Sequence, residues 1–281
     1  MLSTPKMVAS VVVFFASLTS AAPIIGGHNC GLSEWPHVGK ILIAGQLAGT
    51  CSSVSRRFVL TAKHTGATTG SVVQFDNGQA YTVYQRYTFN NPSPFSAEPC
   101  DVALLDLGPL VTLPGWYDLF TGTSDIPARS NASEVTPIST VMVGYGNHQV
   151  LQNTGDYLWG YTEEPQSAGT KRAGMNQSWF FSKVNPHWDF MMACDLDGDG
   201  FDALGDGPET SPYDECQVAS KDSGGPVFIL DGTWKLAGLH LSFQRSPFFS
   251  PEHPFGWGSQ SVASRVTVLA SQIQEIMNLN P

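Results

Sequence analysis

The chain has 281 residues, 42% of them apolar and only 14% charged, which is enough hydrophobic material for a substantial core and far from the composition of a disordered chain. Its formal charge of −10 excludes a sequence-independent nucleic-acid binder, which needs a basic face, and disfavours attachment to a membrane surface through Lys and Arg. The 28 Gly and 19 Pro follow no period, which excludes collagen and implies many turns between short strands.

At the N-terminus, Lys6 precedes an apolar run over 8–18, and the small residues Thr19, Ser20, Ala21 and Ala22 follow. That order matches a secretory signal with its cleavage site, and the run is too short to span a bilayer. Residues 1–23 are expected to be a signal peptide and short pro-remnant, and 24–281 a secreted mature chain. In an oxidising compartment, disulfides are expected among Cys30, Cys51, Cys100, Cys194 and Cys216, with one thiol left over or paired between chains. Asn131 and Asn176 each open an N-x-S sequon, a glycan acceptor when on a surface loop.

Alternating segments bounded by turn signals predict strands at 40–44, 58–61, 72–75, 80–84, 102–107, 140–143, 226–230 and 235–241. A helical period appears at the C-terminus, where Val266, Leu269, Ile273, Ile276 and Met277 share one face after Ser264. Many strands closed by one terminal helix predict an all-β protein built from barrels rather than a βαβ sheet.

Three separated segments carry chemistry: Thr61-Ala62-Lys63-His64 after a strand, Asp101-Val102-Ala103-Leu104-Leu105, and Asp222-Ser223-Gly224-Gly225-Pro226. A serine hydroxyl is a poor nucleophile until an imidazole removes its proton, and the imidazole needs a carboxylate to fix its tautomer. Ser223, His64 and Asp101 supply those roles.

With these motifs the sequence resembles the chymotrypsin/trypsin family of serine endopeptidases. The three segments look like the family's T-A-A-H, D-I-A-L-L and D-S-G-G-P. Ile24-Ile25-Gly26-Gly27 is similar to its mature start, and Val143-Gly144-Tyr145-Gly146 to the turn opening its second barrel. The resemblance implies two antiparallel six-stranded β-barrels, about 24–135 and about 136–281 with the C-terminal helix, sharing one cleft. It implies a monomeric secreted hydrolase acting on protein or peptide substrates, with no nucleic-acid or membrane partner. It also implies a zymogen switch in which the freed Ile24 ammonium pairs with Asp222. Because no Arg or Lys precedes Ile24, removal of the remnant ending in Pro23 is expected from a dipeptidyl or X-Pro-type peptidase rather than a trypsin-like activator.

Departures from the family pattern matter as much. The backbone N–H groups of Ser223 and of the residue two before it would form the oxyanion hole, and that second residue is Lys221 where the family has Gly. The stretch 218–220 reads as inserted. These departures keep open a catalytically impaired homologue acting as a binding or regulatory module. Cys194 and Cys216 lack their family partners and are expected to pair with each other, while the pairing among Cys30, Cys51 and Cys100 stays open.

Between those two cysteines, Asp195, Asp197, Asp199 and Asp206 occupy positions 1, 3, 5 and 12 of an EF-hand-type loop with Gly200 at 6. With the Phe201 carbonyl at position 7, this spacing predicts a structural Ca²⁺ site. Substrate preference has three readings. Asp214 implies cleavage after Arg or Lys; counting back from Ser223 gives Gln217; and Gly238-Leu239-His240 is similar to the G-I-H of glutamyl endopeptidases, whose His binds an acidic side chain.

Overall fold

The computed structural model describes residues 27–90, 99–122, 138–153, 159–163, 166–180, 191–195, 216–244, 255–256 and 259–281. The first half carries β1 (His28–Asn29), β2 (Val38–Ile43), β3 (Gln46–Ser53), β4 (Phe58–Thr61), β5 (Val72–Phe75), β6 (Ala80–Thr82), β7 (Gln85–Asn90) and β8 (Pro99–Asp106). Then come β9 (Ile138–Gly144), β10 (Gln149–Asn153), β11 (Trp159–Glu163), β12 (Arg172–Phe180), β13 (Met191–Asp195), β14 (Pro226–Asp231), β15 (Thr233–Gln244), β16 (Phe255–Gly256), β17 (Gln260–Arg265) and α1 (Ala270–Leu279). The strands predicted at 58–61 and 72–75 have those bounds, and the six others lie within or overlap observed strands.

The first sheet runs β6-β5-β2-β3-β4-β8-β7, with every pair antiparallel. Its edge strands are consecutive in the chain. Val83 donates its N–H to Ser71 O (2.8 Å) and Tyr84 donates to Asp106 O (2.8 Å), so one extended segment passes from β5 to β8 and links the two edges. In the second sheet the ladder β12-β13-β17-β15-β14-β9 returns to β12 through the β9–β12 pairing, which closes six strands into a barrel. β10, β11 and β16 form a small third sheet.

Period-2 alternation explains why β4 can be buried along its whole length. Val59 faces a cluster with Ile41, Val73, Ala103 and Leu105, inside the first sheet. Phe58 and Leu60 instead join Leu104, Val143, Phe228, Leu239 and Ile273, a cluster fed by both sheets and by α1. A third cluster, with Met142, Met192, Val227, Ala237 and Ala263, fills the second barrel. On the C-terminal face, Val266, Leu269 and Ile273 are fully buried and Ile276 and Met277 half-buried, as their spacing requires.

Three expectations change. β1 belongs to the second sheet, pairing His28 with Ala173 and Asn29 with Arg172, so the start of the described chain is not part of the first barrel. Asn176 lies on β12 rather than on a surface loop; it is buried and its Nδ2 donates to Cys216 O (2.8 Å), which leaves no room for a glycan in the folded chain. No disulfide joins any of the five cysteines, all of which are described, and the expected Cys194–Cys216 bond is not formed. Instead Cys194 and Cys216 pack in the apolar cluster of the second barrel, where Cys194 Sγ contacts Met142 Sδ at 3.9 Å. Asn131 lies outside the described residues.

Besides apolar packing, a polar clamp joins the sheets. Asp76, in the turn after β5, accepts from Tyr145 Oη (2.7 Å) and pairs with Lys171 Nζ (3.0 Å), whose side chain is 1% exposed. Removing one partner of a buried pair leaves the other charge desolvated and costs about 3–5 kcal/mol. Asp76→Ala is expected to lower unfolding free energy by that amount in urea titrations; a loss below about 1 kcal/mol would place this clamp with surface pairs.

Candidate active site

His64 owes its position to the end of β4. There the chain leaves the ladder into a single 3₁₀ turn, Lys63–Thr65, which is held by Thr65 Oγ1 donating to Ala62 O (2.8 Å) and ended by Gly66 in the left-handed region at φ 76°. Asp101 stands on β8, two residues before Ala103, which pairs with Thr61 at that same end of β4. Its carboxylate grips His64 twice, with Oδ1 accepting the His64 backbone N–H (2.8 Å) and Oδ2 accepting from Nδ1 (2.5 Å). An Nδ1–H held by Asp101 leaves Nε2 as the acceptor, and Ser223 Oγ lies 2.7 Å from it.

Ser223 comes from the second sheet, on the tight turn that leads into β14. Gly225 N–H closes this turn on Asp222 O (2.7 Å), and Gly224 adopts φ 80°. A Cβ at Gly224 would run into Thr61 Oγ1, and one at Gly49 would sit 2.7 Å from Ser223 O, so both glycines are required by close approach. The turn docks on β3, where Thr50 N–H donates to Ser223 O (2.9 Å) and Thr50 Oγ1 to Lys221 O (3.4 Å).

Lys221 occupies the backbone region that glycine ordinarily supplies, at φ 78°, with its side chain exposed. A non-glycine residue pays about 1–2 kcal/mol there but can hold the same backbone shape. The stretch 218–220 is not a bulge away from the site, because Val218, Ala219 and Ser220 wall a cavity of about 220 Å³ beside Ser223. Leu241, Ser242 and Phe243 line the same cavity. So does His240, which is 1% exposed and has no hydrogen-bond partner on either ring nitrogen among the described residues. Burial pulls the His240 imidazole down to about 3, so it is neutral. Gln217 does not line this cavity; it is buried and accepts from Ser259 Oγ (2.8 Å). A larger groove of 1010 Å³ between residues 54–58, 116–121 and α1 contains none of His64, Asp101 or Ser223.

Asp222 is fully buried, with Oδ1 accepting from Gly146 N–H (2.6 Å) and Oδ2 from Ala219 N–H (2.9 Å). A Cβ at Gly144 or Gly146 would collide with its carboxylate, which explains both glycines of that motif physically. Ile24, Asp214, Asp197, Asp199, Phe201 and Asp206 lie outside the described residues, and of Asp195 only the backbone, paired with Gln260, is described. Sequence reasoning missed Thr50, which nothing in its surroundings singles out.

Residues 24–176 match the trypsin family, a span that includes His64 and Asp101 and stops before Ser223. Among solved structures, the chain is similar to mouse neuropsin, described as a serine protease expressed in the limbic system of the brain, at 16% identity and a TM-score of 0.58. The alignment covers 89% of this chain and 98% of that one. No curated protein matches the chain in sequence. The matched span exceeds half the chain, and the protein therefore belongs to the trypsin family of serine endopeptidases.

The hydrogen bond to Asp101 is the largest influence on His64 and raises its pKa above the ordinary imidazole value, against the opposing effect of burial. Asp101→Asn removes that anion. An NMR titration of the variant is expected to show His64 losing its proton at lower pH than in wild type; an unchanged midpoint would contradict the assigned contact.

Proposed function

We propose that the protein is a secreted endopeptidase that hydrolyses peptide bonds through an acyl-enzyme, with Ser223 as nucleophile, His64 as general base and acid, and Asp101 orienting the imidazole. The observation that carries this reading is the continuous hydrogen-bonded line Asp101–His64–Ser223, assembled from two sheets. Ser223 Oγ attacks the carbonyl carbon while its proton passes to His64 Nε2, and the same proton then leaves with the departing amine. Water repeats the sequence on the acyl-enzyme and regenerates the serine. Because only neutral His64 can accept a proton, kcat/KM falls as pH drops through its raised pKa.

The oxyanion hole is assigned to the N–H groups of Lys221 and Ser223. A catalytically impaired homologue rests on Lys221 standing where the family has Gly, and the φ of 78° at Lys221 supports an active loop instead. The zymogen switch is assigned to Ile24 and Asp222, whose carboxylate is already buried in a nest of backbone donors. Secretion rests on the charged, apolar and small-residue order of residues 1–22.

For specificity we favour an acidic residue on the acyl side of the scissile bond. His240 is the one ionisable side chain among the described residues lining the cavity beside Ser223, and its nitrogens have no other partner there. A substrate carboxylate would accept from that ring and favour its protonated form. The Arg/Lys preference implied by Asp214 is the competing outcome. A peptide library incubated with the secreted protein is expected to be cut after Glu or Asp, with no cleavage by Ser223→Ala. Cleavage after Arg or Lys would overturn the specificity, and undiminished cleavage by Ser223→Ala would overturn the catalytic assignment. N-terminal sequencing of the active preparation is expected to begin at Ile24, and any other start would remove the switch.

The acidic spacing over 195–206 supports a structural Ca²⁺ site, since close carboxylates repel one another without a cation. Chelation with EDTA is expected to lower Tm and activity, and a melting curve indifferent to EDTA would count against the site.

A further inference from the structure

Away from Ser223, β1 and the turn after it gather three unlike metal-ligating groups. Extended backbone sends residues two apart to the same side, and the ladder continues past β1 through Cys30 N–H donating to Lys171 O (3.0 Å), so His28 and Cys30 share a side. The chain then turns back, with Glu34 N–H donating to Gly31 O (3.0 Å). This return sets Glu34 Oε2 2.9 Å from His28 Nε2 and Oε1 3.3 Å from Gly31 N.

One ligand atom from each of His28, Cys30 and Glu34 lies within 4.8 Å of the other two. Zinc bonds of about 2.0–2.3 Å in a tetrahedron hold ligand atoms roughly 3.3–3.8 Å apart, so the three groups need only small side-chain rotations to close on an ion. We propose that His28, Cys30 and Glu34 bind a zinc-class divalent cation, with a fourth position left to water.

The donor set decides the ion. A thiolate with an imidazole and one carboxylate suits zinc-like cations, whereas Ca²⁺ and Mg²⁺ require oxygen ligands. Access is open, because His28 and Glu34 are exposed and Cys30 is only half-buried. The nearby Lys171 ammonium does not block it, being paired with Asp76 at 3.0 Å. A bound ion would tie β1 to the following turn and so fasten the entering chain to β12, where Gly27 already lies against Gly174. The site differs from the acidic stretch 195–206 in containing sulfur, which gives it its own spectroscopic signature.

The test is a Co²⁺ titration of the full secreted chain, followed by absorbance. Saturation at one equivalent is expected, with a thiolate-to-cobalt charge-transfer band that added Zn²⁺ displaces. Cys30→Ser should abolish the band, and His28→Ala and Glu34→Gln should each weaken binding about tenfold or more, given that even outer-shell partners cost that much. Absence of the band at saturating Co²⁺, or its persistence in Cys30→Ser, would overturn the proposal. Glu34→Gln, an exposed and nearly isosteric change, keeps the test valid if the cysteine variant does not fold.

Discussion

The contact on which the site depends is the docking of the Ser223 turn onto Thr50. His64 and Asp101 belong to the first sheet and Ser223 to the second, so no local sequence rule can set the 2.7 Å separation of His64 Nε2 and Ser223 Oγ. Thr50 sets it with every polar group it has. Its N–H holds Ser223 O, its hydroxyl donates to Lys221 O and accepts from Tyr145 N–H (3.1 Å), and its carbonyl accepts from Thr61 Oγ1 (2.7 Å). One buried residue thereby connects the strand leading to His64, the nucleophile turn and the loop after β9. Each bond contributes only about 0.5–1.5 kcal/mol net, but leaving any of these buried groups unpaired costs more.

Around this contact, large apolar surfaces and a few charges keep the sheets aligned. The cluster containing Leu60, Leu104, Val143 and Phe228 draws on both sheets, at about 1.5–3 kcal/mol for each fully buried large side chain. Such packing is tolerant of small slides, whereas Asp76 with Lys171 and Tyr145 is directional and fixes the relative position. Glycines 49, 144, 146 and 224 complete the fit, since a Cβ at each would meet a backbone or side-chain atom of the facing segment. Backbone geometry at Lys221 belongs to the same fit, a non-glycine residue held at φ 78° in the turn that docks on β3.

Much of this is legible in the sequence alone. His64, Asp101 and Ser223 were readable because short motifs surround each of them, and strands such as 58–61 and 72–75 because alternation and burial coincide there. What the sequence concealed is tertiary. Asn176 carries a sequon, but its place on β12 between Cys216 and β9 makes it a core residue. Residues 28–29 precede the first barrel in the chain yet hydrogen-bond to β12, because a strand joins whichever edge the fold leaves open. Gln217 came from counting back from Ser223 and His240 from a three-residue similarity; both are buried, but Gln217 is engaged by Ser259 and only His240 lines the cavity. Thr50 left no trace at all, its partners Lys221 and Ser223 lying in the far half of the chain.

Docking across the two sheets sets Ser223 Oγ against His64 Nε2, and covalent labelling tests most directly whether that contact activates the serine. A fluorophosphonate probe should modify the wild-type protein at one residue, identified by mass spectrometry of the digest as Ser223, and should fail on Ser223→Ala and on His64→Ala. Modification at another residue, or equal labelling of His64→Ala, would contradict an imidazole-activated Ser223.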